Sequence, residues 1–139
     1  MLRLAVLADL PLLVAIRDGS DAGALSDPAL AADESLRRLV ASDTVMVWDD
    51  ENTIAGFAAV ENGAIHLLVD PARRSRGVGR ALLAWACAVA KEAGHAQATL
   101  ALPPGGTAER HYRAAGWSDA GWSDAGTSVS GGRILKKPL

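Results

Sequence analysis

Val69-Asp70-Pro71-Ala72-Arg73-Arg74-Ser75-Arg76-Gly77-Val78-Gly79-Arg80-Ala81-Leu82-Leu83 is the stretch on which the fold turns. It joins a strand to a helix. Before it, Ile65, Leu67 and Val69 alternate with Ala64, His66 and Leu68, so both faces of the segment are largely apolar. That is the pattern of a central strand covered on both sides. After it, Val78, Ala81, Leu82, Trp85 and Val89 fall along one helical stripe, and Gly94 ends the helix. A helix start exposes unpaired N–H groups and the positive end of the dipole, so it favours phosphate. Glycines at 77 and 79 remove side chains that would block a ligand's close approach. Arg73, Arg74, Arg76 and Arg80 add positive charge beside them. The stretch predicts a phosphate or pyrophosphate cradle.

Two familiar phosphate loops do not fit. A Walker A loop needs Gly-Lys-Ser/Thr, and Gly79 is followed by Arg80-Ala81. A Rossmann loop needs its third glycine where Leu82 stands, and it begins sooner after its strand. Taken alone, the glycine spacing also reads as a basic, solvated turn.

Toward the N-terminus, Asn62-Gly63 is a two-residue hairpin signal between the central strand and a run from Thr53 to Val60. Val45 to Trp48 is a further strand, bounded by Asp49, Asp50 and Asn52. Asp33 or Ser35 can cap a helix carrying Leu36, Leu39 and Val40. Asp18 to Pro28 reads as a polar loop. Asp9 reads as the N-cap of a helix with Pro11 in its first turn and Gly19 at its end. Leu2 to Val6 reads as an edge strand.

Toward the C-terminus, Gln97 to Leu102 is a strand and Pro103-Pro104-Gly105-Gly106 a breaker. Thr107 caps a short helix through Ala115, closed by Gly116, and the segment around Ile134 and Leu135 supplies one or two last strands. The pentapeptide Trp117-Ser118-Asp119-Ala120-Gly121 is repeated at once as Trp122 to Gly126. One tandem copy is too short for a solenoid and reads as an insertion in a loop or hairpin. The order is β-α-α-β-β-β-α-β-α-β, with a possible final strand, and the class is mixed α/β.

Composition sets outer bounds. The 139 residues suit one domain, 1–139. The net charge of −2 argues against a nucleic-acid binder with a broad basic surface. It conceals a split: residues 1–70 hold 12 acidic and 4 basic side chains, and residues 71–139 hold 4 acidic and 10 basic. Cys87 is the only cysteine, which excludes an intrachain disulfide and a multi-cysteine metal site, and fits a reducing cytoplasm. Mid-helix and without an evident base, it reads as structural rather than nucleophilic. Arg3, Asp9 and Pro11 break any signal-peptide pattern, and no apolar run is long enough to span a membrane.

The wider string is more specific. Val69-Asp70-Pro71, then Arg74-x-x-Gly77-x-Gly79, then Ala81-Leu82-Leu83 resembles motif A of the GNAT superfamily of N-acetyltransferases, Q/R-x-x-G-x-G/A. Ala108-x-x-x-Tyr112-x-x-x-Gly116-Trp117 resembles the family's A-x-x-x-Y-x-x-x-G-F segment. The resemblance covers nearly the whole chain. It implies a GNAT fold, a mixed and mostly antiparallel central sheet flanked by helices. It also implies acetyl-CoA as cosubstrate. By position, the pyrophosphate would meet Arg74, Ser75, Arg76, Gly77, Val78, Gly79 and Arg80, and the pantetheine arm would pair near Leu67, Leu68 and Val69. Tyr112, the only tyrosine, stands where family members keep a general acid for the departing thiolate; otherwise it is a packed aromatic.

An amine must lose a proton to attack, so a base is needed. His66 is a tentative base, because an imidazole titrates in the useful range. Amid apolar neighbours it also reads as a core histidine. Glu61 is a weaker candidate, while His95 reads as a loop residue and His111 lies about 100° around the helix from Tyr112. Gly105 stands where many members have Asn, which leaves one cofactor contact to backbone or absent. The acceptor implied is a small-molecule or peptide amine, and Asp18, Asp21 and Asp27 suggest a cationic one. The alternative is a non-catalytic acyl-CoA-binding or regulatory module on the same fold. Neither a metal nor a membrane partner is expected, and the state is monomer or homodimer.

Overall fold

The Asn62-Gly63 pair fixes the centre of the sheet. Both residues have positive φ, 51° and 82°, as a two-residue hairpin that follows the strand twist requires. The turn joins β3 (Ile54–Glu61) to β4 (Ala64–Val69), in register from Glu61 opposite Ala64 to Gly56 opposite Val69. The structure is a computed structural model, and it describes residues 1–19, 32–51, 53–73, 77–102, 107–122 and 133–139.

Before the hairpin come β1 (Leu2–Leu4), a 3-10 turn at Leu7–Asp9, α1 (Leu10–Asp18), α2 (Asp33–Ala41) and β2 (Val45–Asp49). After it come a 3-10 turn at Pro71–Arg73, α3 (Val78–Glu92), β5 (Gln97–Leu102), α4 (Thr107–Ala114), β6 (Ser118–Trp122) and β7 (Arg133–Pro138). This is the order expected from the sequence, with the final strand present. The seven strands form one sheet in the order β1-β2-β3-β4-β5-β7-β6, with β1 and β6 at the edges. Every neighbouring pair is antiparallel except β4 and β5.

Alternation along β4 divides the core. Leu68 packs with Leu13, Leu36, Leu39 and Phe57, the cluster under α1 and α2. Ile65 packs with Ala86, Ala90, Leu100 and Leu135, under α3. The helices therefore cover opposite faces. The buried stripe of α3 is Val78, Leu82, Ala86 and Ala90, at strict four-residue spacing. Ala81, Trp85 and Val89, expected on the stripe, flank it at partial burial. The strand most deeply covered is β3, buried from Ile54 through Val60, rather than β4. Beyond Ile65, β4 has lost its β5 neighbour, so its second half is only partly buried.

Both expected acidic caps are replaced by ion pairs. Asp9 precedes α1 but makes no cap bond to that helix. Its carboxylate accepts two hydrogen bonds from Arg3, at 2.8 and 2.9 Å, and one from the Val6 N–H. Neither Asp33 nor Ser35 caps α2; Ala32 holds the cap position, with no side-chain bond. Asp33 instead meets the buried Arg17 guanidinium at 2.6 Å, across from α1. A charge-assisted pair to an arginine outcompetes a single cap bond.

Of the two expectations for the repeated pentapeptide, loop or hairpin, the first copy takes the second: Trp117 is buried and Ser118 begins β6, which pairs antiparallel with β7, with a register shift between Asp119 and Gly121. Residues 123–126 of the second copy lie outside the described residues, as do 20–31 and 103–106.

Candidate active site

The site begins where two strands part. The parallel ladder between β4 and β5 holds only Ala64 with Thr99 and Ile65 with Leu100. Leu67, Leu68 and Val69 then run on with no β5 partner, which leaves a ladder edge open inside the sheet. Such an edge can accept an extended amide-bearing ligand as it would accept a strand.

At the end of that edge the chain turns onto α3. The Asp70 carboxylate accepts the Ala72 N–H at 3.0 Å, and its other oxygen meets Arg73 at 2.6 Å. Arg73 also lies 3.6 Å from Asp50. Its charge, expected beside the phosphates, is therefore matched by two acids, and it holds the turn instead. Arg74, Ser75 and Arg76 lie outside the described residues.

Gly77 is the N-cap of α3, with φ 78° in the left-handed region, where a Cβ is strained. A methyl group there would meet nothing within 4 Å among the described residues. The first intrahelical bond runs from the Ala81 N–H to the Gly77 carbonyl, at 3.0 Å. The N–H groups of Val78, Gly79 and Arg80 are thus the unpaired donors of a helix start. Together with the exposed Arg80, they fit an anionic phosphate group.

Gly56 was not among the expected site residues, yet it makes this geometry possible. A methyl group on it would stand 2.9 Å from the Leu68 carbonyl oxygen and 3.2 Å from Val78 Cγ1. Only a glycine lets the start of α3 lie this close to the end of β4. An isolated glycine inside a strand run was the available signal.

Between α3 and α4 lies an open groove of about 610 Å³. Gly79 and Arg80 line one end, and Tyr112 stands in its α4 wall. Tyr112 and Trp117 are in edge-to-face contact, with centroids 6.0 Å apart and planes at 69°. Burial pushes the Tyr112 phenol up to about 12, so it keeps its proton at neutral pH. Cys87 lines the same groove, and burial raises its thiol, which favours the unreactive form.

His66 is buried on β4, beside the point where β5 leaves, on the face that Leu68 shares with α1 and α2. Its Nε2 lies 4.0 Å from Glu61 Oε1. The structure therefore brings together the two base candidates, which the sequence separates by a turn. His95 packs at the opposite end of β4: a methyl on Gly63 would stand 3.3 Å from its Cγ. Asp18, expected to attract a cationic acceptor, is matched by Arg17 at 2.8 Å. Asp21 and Asp27 lie outside the described residues. Among the described residues no cluster of three or more metal-ligating side chains occurs, and no helix is long and apolar enough to cross a membrane.

A parted parallel strand pair, with a glycine-spaced helix start at its open end, defines a fold built around an extended anionic ligand. Residues 41–119 match the family profile described as acetyltransferase (GNAT) domain. The match spans more than half of the chain, and the protein belongs to the GNAT acetyltransferase family. Solved structures agree in fold. A ribosomal-protein-alanine N-acetyltransferase from Brucella melitensis has 21% identity and a TM-score of 0.77, over 100% of this chain and 99% of its own. The yncA putative acetyltransferase from Salmonella typhimurium, solved with acetyl-CoA, has 15% identity and a TM-score of 0.78, over 100% and 93%. The paia N-acetyltransferase from Thermoplasma acidophilum, in complex with coenzyme A, has 15% identity and a TM-score of 0.75, over 100% and 98%. A search of curated proteins returned no match.

Proposed function

We propose that the protein transfers an acetyl group from acetyl-CoA to a primary amine, by direct attack within a ternary complex. The observation that carries this reading is the shared groove. Gly79 and Arg80 from the start of α3, and Tyr112 from α4, line one cavity although Arg80 and Tyr112 stand 32 positions apart in sequence. Acetyl-CoA supplies the activated thioester. The residues of this chain supply its seat and its proton traffic.

The Val78, Gly79 and Arg80 N–H groups hold the pyrophosphate, with Arg74, Ser75 and Arg76 assigned to the same loop. The open edge of Leu67, Leu68 and Val69 aligns the pantetheine amides. Backbone N–H groups on that edge are positioned to hold a carbonyl oxygen as charge develops on it. Tyr112, protonated with its phenol at about 12, is the proton donor for the leaving sulfur. His66, within 4.0 Å of Glu61, is the base that takes a proton from the amine. The α1–α2 side of the sheet, where His66 lies, is the side from which the acceptor approaches.

The test is thiol release from acetyl-CoA with a panel of small amines, aminoglycosides and N-terminal peptides. Release that depends on an amine supports the proposal. Tight acetyl-CoA binding with no release for any amine would replace it by a non-catalytic acyl-CoA-binding module.

A further inference from the structure

With its flanking glycine, the repeat is longer than five residues. Gly116-Trp117-Ser118-Asp119-Ala120-Gly121 and Gly121-Trp122-Ser123-Asp124-Ala125-Gly126 are identical and share Gly121. The first copy has a defined place in the fold. Gly116 closes α4 with φ 101°, a left-handed angle that suits glycine. Trp117 is buried with Ala86, Leu100 and Leu135, and its ring meets Tyr112 edge to face. Its N–H donates to the Tyr112 carbonyl at 3.0 Å. Ser118, Asp119 and Gly121 then stand opposite Lys136, Leu135 and Ile134 of β7.

The second copy meets each of these requirements equally. A slip of five positions brings Gly121 to the left-handed turn and Trp122 to the buried seat. It brings Ser123, Asp124 and Gly126 opposite the same three residues of β7. Only the last pair changes, with Thr127 in place of Trp122 opposite Arg133. Register is ordinarily locked because a slip carries the wrong side chains to the core. Here a slip by one repeat carries the same side chains to the same places. Among the described residues β6 is an edge strand paired with β7 alone, so the slip breaks one ladder.

The connections have room for it. Three residues, 115–117, join α4 to β6, and ten residues, 123–132, separate β6 from β7. After the slip the lengths are eight, 115–122, and five, 128–132. A five-residue hairpin loop is a common one, and this one ends in Gly131-Gly132. Doubling a loop changes the population by only about threefold. One connection lengthens as the other shortens, so the two changes largely offset.

We propose that β6 has two registers, and that the second copy is a spare strand that replaces the first, with Trp122 entering the seat of Trp117. This stands apart from the acetyl-transfer reading, because it concerns only how the C-terminal hairpin is built. In the second register Trp117 to Gly121 join the connection to α4. The helix that carries Tyr112 is then tethered to the sheet by a longer span.

Urea denaturation of the wild type, Trp117→Ala, Trp122→Ala and the double variant tests the proposal through the folding equilibrium constant. Removing a buried tryptophan with no substitute costs roughly 10²-fold or more. With a spare strand, Trp117→Ala should lose less than about tenfold, because Trp122 takes the empty seat. Trp122→Ala should lose less still, and the double variant about 10²-fold or more. The double loss should thus exceed the product of the single losses. A double variant that fails to fold while both single variants fold supports the proposal equally. A Trp117→Ala protein that loses 10²-fold or does not fold overturns it. So does a double loss no greater than the product, which would mean that each tryptophan keeps its own place.

Discussion

Gly56 and Val69 face each other across β3 and β4 so closely that a methyl group on Gly56 would stand 3.2 Å from the Val69 Cα. The Leu68 carbonyl oxygen would be nearer still, at 2.9 Å. Both neighbours are backbone and cannot swing aside. Gly56→Ala is therefore expected to lower stability by about 1–3 kcal/mol, the ordinary range for overpacking. Because Val78 is the third neighbour, the start of α3 moves as well, and acetyl-CoA affinity should fall with stability. Urea denaturation and calorimetry read the two effects. A variant of unchanged stability would remove the close approach from the account of the site.

The two cradle glycines serve different ends, and substitution should separate them. Gly77 needs its left-handed backbone, with φ 78°, so Gly77→Ala should lose about 1–2 kcal/mol of stability. At Gly79 a Cβ makes only ordinary contact with Val69, at 3.4 Å. Gly79→Val should leave the melting temperature nearly unchanged yet abolish acetyl-CoA binding, because its branched side chain would stand in the phosphate seat. Retained affinity would move the seat elsewhere.

Tyr112→Phe keeps the edge-to-face packing on Trp117 and removes the proton donor. Turnover should fall on the order of 10²-fold, with acetyl-CoA affinity nearly intact. With the phenol at about 12, the donor stays protonated throughout the usual assay range. The wild-type to variant rate ratio should therefore hold steady from pH 7 to about pH 10. A ratio that collapses near pH 9 would show that Tyr112 ionises earlier than its burial allows.

Asp9 ties β1 to the start of α1 through Arg3. The two Arg3 hydrogen bonds are the largest cause holding its carboxyl below the usual carboxylate range, with the Val6 N–H adding to them. A carboxyl lowered in the folded state stabilises the protein above its unfolded pKa, about 3.9. That contribution is lost as pH falls through the lower folded value. Asp9→Asn should cost about 1–2 kcal/mol at pH 7 and show a flatter loss of stability below pH 4. Thermal melts from pH 7 to pH 2 would show it, and parallel curves for the two proteins would contradict it.

The order of elements could be read from the sequence because each has a local cause. Asn62-Gly63 takes two positive φ angles that few other residue pairs accept, and Gly77 and Gly79 mark the helix start by their missing side chains. Other features depend on partners distant in the chain. Asp9 and Asp33 look like caps until Arg3 and Arg17 are found beside them. Arg73 looks like a ligand for phosphate until Asp70 and Asp50 neutralise it. Gly56 has no motif; its need appears only when Leu68, Val69 and Val78 close around it. The residues of β6 carry Ser, Asp and Gly, which signal turns, and become strand because β7 offers them an edge. His66 and Glu61 appear in the sequence as separate candidates, and their approach to 4.0 Å follows from the hairpin register.

The parting of β4 from β5 has a mechanical consequence. Six residue pairs join β3 to β4, and six join β5 to β7, but two join β4 to β5. The sheet is thus two blocks sewn along a short seam, with β1 to β4 on one side and β5, β7 and β6 on the other. Load placed across the sheet concentrates at Ile65 and Leu100, the last stitch before the gap. The joint that resists separation least is the one beside which the ligand site opens, so whatever lies along that gap also decides how firmly the two halves are held.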